Sequence, residues 1–139
     1  SDRFSRMFGV FREQQSGKDV GFDPIFSKDT RIPRAEEGLI EADRFYQPVH
    51  NLGHFRFVEC TDLDASGAPL GDISLFADVH FPFDRGLQQA DADLSSIQVR
   101  RLPHDGPTIR ERYTLHAHGL VCLTITDLGS AFERVYRIG

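Results

Sequence analysis

The sequence predicts an all-β protein, an antiparallel β-sandwich of about eight strands in a single domain spanning residues 1–139. Short extended segments recur between turn residues, a spacing that is typical of a sandwich or barrel. Helical periodicity is scarce, since only Asp84–Ser96 shows it to a moderate degree. A chain of 139 residues is the size of one domain with one core, and its 12 phenylalanines predict an aromatic core.

Five extended segments are predicted in the first part of the chain. A polar loop at Gln14–Val20 separates the first two segments. Pro24 restricts the second segment to a sheet edge or a bulge, because proline cannot donate a ladder hydrogen bond. Apolar residues alternate at Ile73, Leu75 and Ala77 in the fifth segment. In chain order, the segments are Arg3–Phe11, Phe22–Phe26, Leu39–Phe45, Phe55–Cys60 and Ile73–Phe83.

The clearest element of the last part is a hairpin within Ile109–Asp127. Tyr113 and Leu115 share a parity with Ile109 in its first strand, and its turn ends at Gly119. The predicted strands of this part are Ile97–Leu102, Ile109–Ala117, Leu120–Thr126 and Phe132–Ile138. Together with the earlier segments they complete the predicted sandwich.

Composition excludes several classes of partner. The net charge of −5 gives no attraction to nucleic acid or to an anionic membrane. No apolar run is long enough to cross a bilayer, and nothing near Ser1 resembles a signal peptide. Cys60 and Cys122 lie in apolar segments and are predicted to be buried free thiols in a reducing compartment. We therefore expect a cytoplasmic protein that binds neither nucleic acid nor membrane.

The sequence carries no clear signature of an enzyme or a metal site. It lacks the glycine-rich loop that cradles the phosphates of ATP. His116 and His118 would share one face of a strand, but they lack further ligands and fall at a predicted turn. Asp78 and His80 also share a face, yet no nucleophile stands beside them. We predict no catalytic residue and no metal ligand.

Four segments carry a family resemblance by their order and spacing. They are GFDPIFSKDTRIP at 21–33, FRFVEC at 55–60 followed by LGDI at 70–73, the hairpin at 109–127, and the charged closing strand at 132–138. On these motifs the chain resembles the β-sandwich substrate-binding domain of DnaK-type heat-shock chaperones, as a divergent member, over residues 5–138. The chain departs from the family pattern at His116 and His118, which replace acidic turn residues, and in a longer segment at 85–106.

The resemblance implies a channel that holds an extended peptide between two pairs of loops. Backbone hydrogen bonds would give affinity that tolerates many sequences, and an apolar pocket would take one large aliphatic side chain. Ala42 and Asp43 would begin the second channel loop, and Phe55 and Phe57 would lie on the strand that floors the pocket. The residues assigned to peptide binding in this way are Val10, Arg12, Glu13, Leu39, Ile40, Ala42, Asp43, Phe55 and Phe57.

Three functions stay open at this stage. In the first, the chain is the peptide-binding module of a DnaK-like chaperone, with unfolded polypeptides and co-chaperones as partners. That module needs no cofactor, since the ATPase domain and the helical lid of the family are not part of this chain. In the second, the chain is a structural or protein-interaction β-sandwich that has lost peptide binding because Phe55 and Phe57 fill the pocket. Neither of these two functions is enzymatic. In the third, the chain is a small enzyme or a metal module built on its six histidines.

Overall fold

Eight strands form two antiparallel sheets in the computed structural model, which describes residues 3–14, 18–90 and 92–139. The first sheet has the strand order β2-β1-β4-β5, and the second has the order β3-β6-β7-β8. The strands are β1 (Met7–Gln14), β2 (Asp19–Phe26), β3 (Ile40–Tyr46), β4 (Leu52–Leu63), β5 (Pro69–Pro82), β6 (Ile109–Leu115), β7 (Val121–Asp127) and β8 (Glu133–Arg137). The predicted all-β sandwich in a single domain is confirmed.

The hydrophobic core lies between the two sheets and is rich in aromatic rings. Phe8 and Phe57 of the first sheet stack with ring centroids 6.2 Å apart. The ring of Phe57 also meets that of Tyr113 from β6 edge to face, at a centroid distance of 6.1 Å. All three side chains are fully buried, as are Phe81 on β5 and Leu123 on β7. Alternation along each strand delivers these side chains to one face, which is why the sheets pack against each other.

The predicted hairpin is present as β6 and β7, paired from Ile109↔Asp127 to Leu115↔Val121. A single 3₁₀ turn at Ala117–Gly119 joins the strands. His118 and Gly119 have φ angles of 67° and 78°, so the chain reverses through the left-handed region. Glycine adopts that region without steric cost, which explains why the turn ends there.

A β-bulge on β5 interrupts the alternation predicted for that strand. Phe57 pairs with Ala77 but the next residue, Val58, pairs with Leu75, so Phe76 is the extra residue. The inserted residue exchanges the two faces of the strand on either side of it. Ala77 therefore packs against the core, whereas Ile73 is 53% exposed and Leu75 is 61% exposed.

Three further segments differ from the sequence-based expectations. Ile97–Leu102 is not a strand, because among the described residues its strand pairing is limited to an isolated bridge between Arg101 and His50. The helical stretch contains only the short helix α1 (Arg85–Gln89) and a 3₁₀ turn at Leu94–Ser96, while residue 91 lies outside the described residues. The predicted polar loop is shorter than expected, since its ends belong to β1 and β2; its residues 15–17 also lie outside the described part. No helix among the described residues has the length and apolar character needed to cross a membrane.

Candidate functional site: an apolar cleft with a buried ion pair

One end of the sandwich carries a cleft with a volume of about 540 Å³, within the roughly 300–1,000 Å³ typical of ligand sites. The end of β1, the start of β4 and the connection between β3 and β4 supply most of its lining. Its apolar side chains are Phe11, Val20, Phe45, Val49, Leu52, Phe55, Phe83 and Val99. Phe45 and Val20 are 61% and 56% exposed, so they offer apolar surface to a ligand.

A buried ion pair lies where this cleft meets the core. Arg12 follows Phe8 and Val10 on the inward face of β1, and Glu111 lies between Ile109 and Tyr113 on the inward face of β6. The Arg12 Nη1 and Nη2 atoms donate to the two carboxylate oxygens of Glu111 at 2.9 and 2.7 Å. This bidentate geometry is the strongest form of the arginine–carboxylate pair.

Two tyrosines complete the hydrogen bonding of the Glu111 carboxylate. The Tyr113 hydroxyl donates to Oε1 at 2.5 Å, and the Tyr46 hydroxyl donates to Oε2. Each carboxylate oxygen therefore accepts one hydrogen bond from Arg12 and one from a tyrosine. Because the carboxylate has no free, accessible oxygen, the group acts as a brace between the two sheets and is poorly suited to be a general base.

Burial and the paired charges shift the pKa values of this cluster. Burial by itself lowers the pKa of Arg12, but the hydrogen bond and charge of Glu111 outweigh it, so that pKa is raised overall. The pKa values of Tyr46 and Tyr113 are raised, first because burial disfavours a phenolate and second because Glu111 is negative. Arg12 therefore stays a cation and both tyrosines stay neutral donors.

The arginine side chain also packs against aromatic rings of the cleft. The guanidinium carbon of Arg12 lies 5.8 Å from the ring centroid of Tyr46 and 5.8 Å from that of Phe55. These distances fall within the range of a cation–π contact. The floor of the cleft is therefore aromatic with a fixed positive charge beneath it.

Polar contacts hold the rim of the cleft across the two sheets. Arg44 on β3 donates from Nε to Oδ2 of Asp23 on β2 at 3.0 Å. The same Asp23 oxygen lies 3.1 Å from Nε of Arg12. His50 Nδ1 and Glu13 Oε2 are 2.7 Å apart, which joins the end of β1 to the connection before β4. Both edge strands that flank the cleft, β2 and β3, are thus fixed in place.

The structure brings together only part of the predicted peptide-binding set. Arg12, Glu13 and Phe55 line the cleft, and Phe55 does so while only 5% exposed. Val10 and Phe57 have no exposed surface and belong to the core. Of the two alternatives left open for these phenylalanines, Phe57 is core, whereas Phe55 is both buried and part of the cleft wall.

The remaining predicted residues lie away from the cleft, on β3 or, for Leu39, directly before it. Leu39 and Ile40 are exposed at the opposite end of that strand, where Ile40 pairs with Leu115. The prediction that a loop begins at Ala42 and Asp43 is wrong, because the pairing of β3 with β6 continues to Tyr46↔Ile109. Asp43 is instead an outward strand residue that accepts a hydrogen bond from Arg112 Nη2 at 2.9 Å.

Sequence reasoning missed the cluster around Glu111, although a signal for it exists. Glu111 has the same parity as Ile109, Tyr113 and Leu115 in an otherwise apolar row. A carboxylate at such a position is either buried with a partner or evidence against the strand. On β1 the corresponding signal is Arg12, which lies two residues after the buried Val10 and therefore on the same face of the strand.

The histidines that lie close together are not the pair that the sequence suggested. His116 accepts or donates one hydrogen bond with Thr114 at 3.0 Å, and His118 is exposed in its turn. Neither belongs to a group of potential metal ligands among the described residues. Asp78 and His80 do share a face, as predicted, but the hydrogen-bond partner of Asp78 is His54 from the neighbouring strand.

Comparison with protein-family models and with curated proteins gives no relative from which a role could be transferred. No family model matches this chain, and a search of curated proteins also found no match. The proposals that follow therefore depend on the geometry of the described residues and on the resemblance seen in the sequence.

Proposed function

We propose that this chain binds extended apolar polypeptide segments in the cleft, as the peptide-binding module of a DnaK-like chaperone would. The observation that carries the proposal is the cleft of about 540 Å³ with apolar walls between edge strands of both sheets. Its position agrees with the resemblance in one respect, since Arg12 and Glu13 at the end of β1 and Phe55 on β4 line it.

The physical basis of binding would be side-chain burial combined with backbone pairing. Burying a leucine-sized side chain against Phe45 and Val20 is worth about 1.5–3 kcal/mol. Among the strands of the described residues, the edge strands β2 and β3 each have a neighbour on one side only, and an extended peptide can pair with such an edge. After the cost of ordering the peptide, these contributions support binding in the micromolar range.

The proposed setting follows from the same family resemblance. Unfolded polypeptides are the clients and co-chaperones the further partners, and ATP has no part in the step assigned to this domain. Cys60 and Cys122 are both free thiols, which is compatible with the reducing cytoplasm that we propose for this chain.

A direct test measures the fluorescence anisotropy of a labelled leucine-rich heptapeptide titrated with the full chain. We expect saturable binding that weakens about fivefold or more for Phe45→Ala, because that ring forms an exposed wall of the cleft. The matched control is Val135→Ala, since Val135 is 67% exposed on β8 and does not line the cleft. Binding that fails to saturate at high micromolar concentration, or equal effects of the two substitutions, would contradict the proposal.

A second function, a protein-interaction β-sandwich without peptide binding, is favoured by one separate observation. The edge strand β5 exposes apolar side chains at Leu70, Ile73, Leu75 and Phe76. Exposed apolar side chains clustered on one strand are a feature of interaction surfaces. If the heptapeptide does not bind and sedimentation shows self-association that Leu75→Lys abolishes, this second function would replace the first.

A further inference from the structure

Three side chains with metal-binding atoms meet on the outer face of the first sheet. His54 on β4 and His80 on β5 occupy directly opposed positions in the strand pairing. Asp78 precedes His80 by two residues, and alternation therefore places it on the same face. One ligand atom from each of these three residues lies within 4.8 Å of the other two.

We propose that His54, Asp78 and His80 bind a divalent transition-metal ion of the zinc class. Two imidazole nitrogens and one carboxylate oxygen suit Zn²⁺, Ni²⁺ or Cu²⁺, whereas Ca²⁺ and Mg²⁺ prefer oxygen ligands alone. Ligands about 2.0–2.1 Å from a tetrahedral Zn²⁺ ion are about 3.3 Å apart, so small side-chain rotations close the site. The fourth position would be left to water or to an external ligand.

The paired strands already place the three ligand side chains close together without a metal ion. Phe55 and Val79 lie beside the ligands in sequence, point to the opposite face and are buried, which fixes both strands in place. The His54 and His80 rings already stack with centroids 4.3 Å apart and an angle of 6° between their planes. A site built on two paired strands therefore needs little ordering to bind an ion.

Exposure and charge make the three ligands accessible to a cation. The side chains of His54 and Asp78 are 40% and 48% exposed. Asp93, which caps the 3₁₀ turn at Leu94–Ser96, adds a second negative charge that acts on His80. Arg56 lies opposite Asp78 on β4, and its positive charge partly offsets this attraction.

The proposed metal site is formed by side chains that the proposed peptide binding does not need, so the two proposals are independent. His54 does line the cleft, so the metal site borders its rim. Asp78 and His80 do not line the cleft. Substitution of these two residues therefore separates a failure of metal binding from a failure of peptide binding.

Titration calorimetry of the full chain with ZnCl₂, after treatment with EDTA, tests the proposal. We expect one saturable site per chain with a dissociation constant below about 100 μM. His80→Ala and Asp78→Asn should each weaken binding about tenfold or more, and ZnCl₂ should raise the Tm of the unsubstituted chain more than that of either variant. The matched control is His104→Ala, an exposed histidine outside the cluster, which should leave the affinity unchanged.

Two results would overturn the proposal. One is the absence of saturable ZnCl₂ binding by the folded, unsubstituted chain. The other is an equal loss of affinity in His104→Ala and His80→Ala, which would mean that ions bind to scattered histidines. Asp78→Asn preserves the shape of an exposed side chain, so a folded variant is available even if His80→Ala does not fold.

Discussion

Arg12 and Glu111 are the residues in which burial and charge most directly oppose each other. The Glu111 side chain has no exposed surface, and that of Arg12 is 12% exposed. Removing two charges from water is costly, and only close pairing with full hydrogen bonding offsets that cost. The two tyrosine hydroxyls supply the hydrogen bonds that Arg12 leaves unmade on the carboxylate.

Glu111→Gln should therefore destabilise the protein strongly although it hardly changes the volume of the side chain. It removes the fully buried counter-charge of Arg12 and leaves that cation only Asp23, whose Oδ2 lies 3.1 Å from Nε. Breaking a buried pair in this way costs about 3–5 kcal/mol. Tyr46→Phe removes one hydrogen bond to a charged group and should cost about 1.5–3 kcal/mol. Urea unfolding followed by circular dichroism measures both values. A loss below about 1 kcal/mol for Glu111→Gln would contradict the assigned role of the pair.

At this scale the sequence indicated part of the lining of the cleft, while peptide binding by those residues stays a prediction. Arg12, Glu13 and Phe55 were identified because the resemblance aligned them with a channel, and all three line the cleft. The pairing of Arg12 with Glu111 was not identified, because the two positions are 99 residues apart. A single sequence shows that each charge lies on an apolar face, but it does not show which partner neutralises that charge.

Strands β4 and β5 show how one inserted residue separates buried from exposed apolar positions. Phe57 on β4 packs against rings from both sheets, whereas Ile73 on β5 lies beyond the bulge at Phe76 and faces solvent. Both are large apolar residues in predicted strands. Their energetic roles differ only because of the direction in which each side chain points.

Phe57→Ala and Ile73→Ala should consequently have very different effects on the free energy of unfolding. Removing the buried Phe57 ring leaves a cavity in a packed core and should cost about 3–5 kcal/mol. Ile73 is 53% exposed, and its substitution should change stability by less than about 0.5 kcal/mol. Thermal and urea unfolding of the two variants provide the comparison. Similar losses for both variants would mean that the outer face of β5 is covered by something outside the described residues.

Elements were predicted well where local sequence determines them. The hairpin of β6 and β7 follows from the parity of its residues and from a turn that ends at Gly119. The bulge at Phe76 has no comparable local signal, because an inserted residue is defined by the partner strand. Ile97–Leu102 alternates like a strand but finds no partner edge beyond one bridge, so its pattern does not become a strand.

For the molecule as a whole, polar contacts between the sheets supplement the hydrophobic core. Arg44 joins β3 to Asp23 on β2 near the cleft. Elsewhere, the Tyr136 hydroxyl of β8 donates to the His80 carbonyl of β5 at 3.1 Å. The amide of Gln88 in α1 donates to Asp127 at the end of β7 at 2.8 Å. The approximate number of strands and their antiparallel pairing were predictable from sequence. These contacts between the sheets depend on which strands face each other, and no pattern in a single sequence gives that arrangement.

Asp127 is expected to make the free energy of unfolding depend on pH in the acid range. Burial raises the pKa of this carboxyl, but hydrogen bonds from Gln88 and from the backbone of Ser130 and Gly129 outweigh it, so the pKa is lowered below 3.8. A lowered carboxyl pKa contributes stability that is full above the unfolded value of about 3.9 and is lost as the pH falls through the folded value. Asp127→Asn should therefore cost about 1–3 kcal/mol near pH 6, and the difference from the unsubstituted protein should shrink towards pH 3. Urea unfolding at several pH values measures this difference, with the exposed Asp105→Asn as control. A difference that stays constant with pH would show that Asp127 acts through shape rather than through its charge.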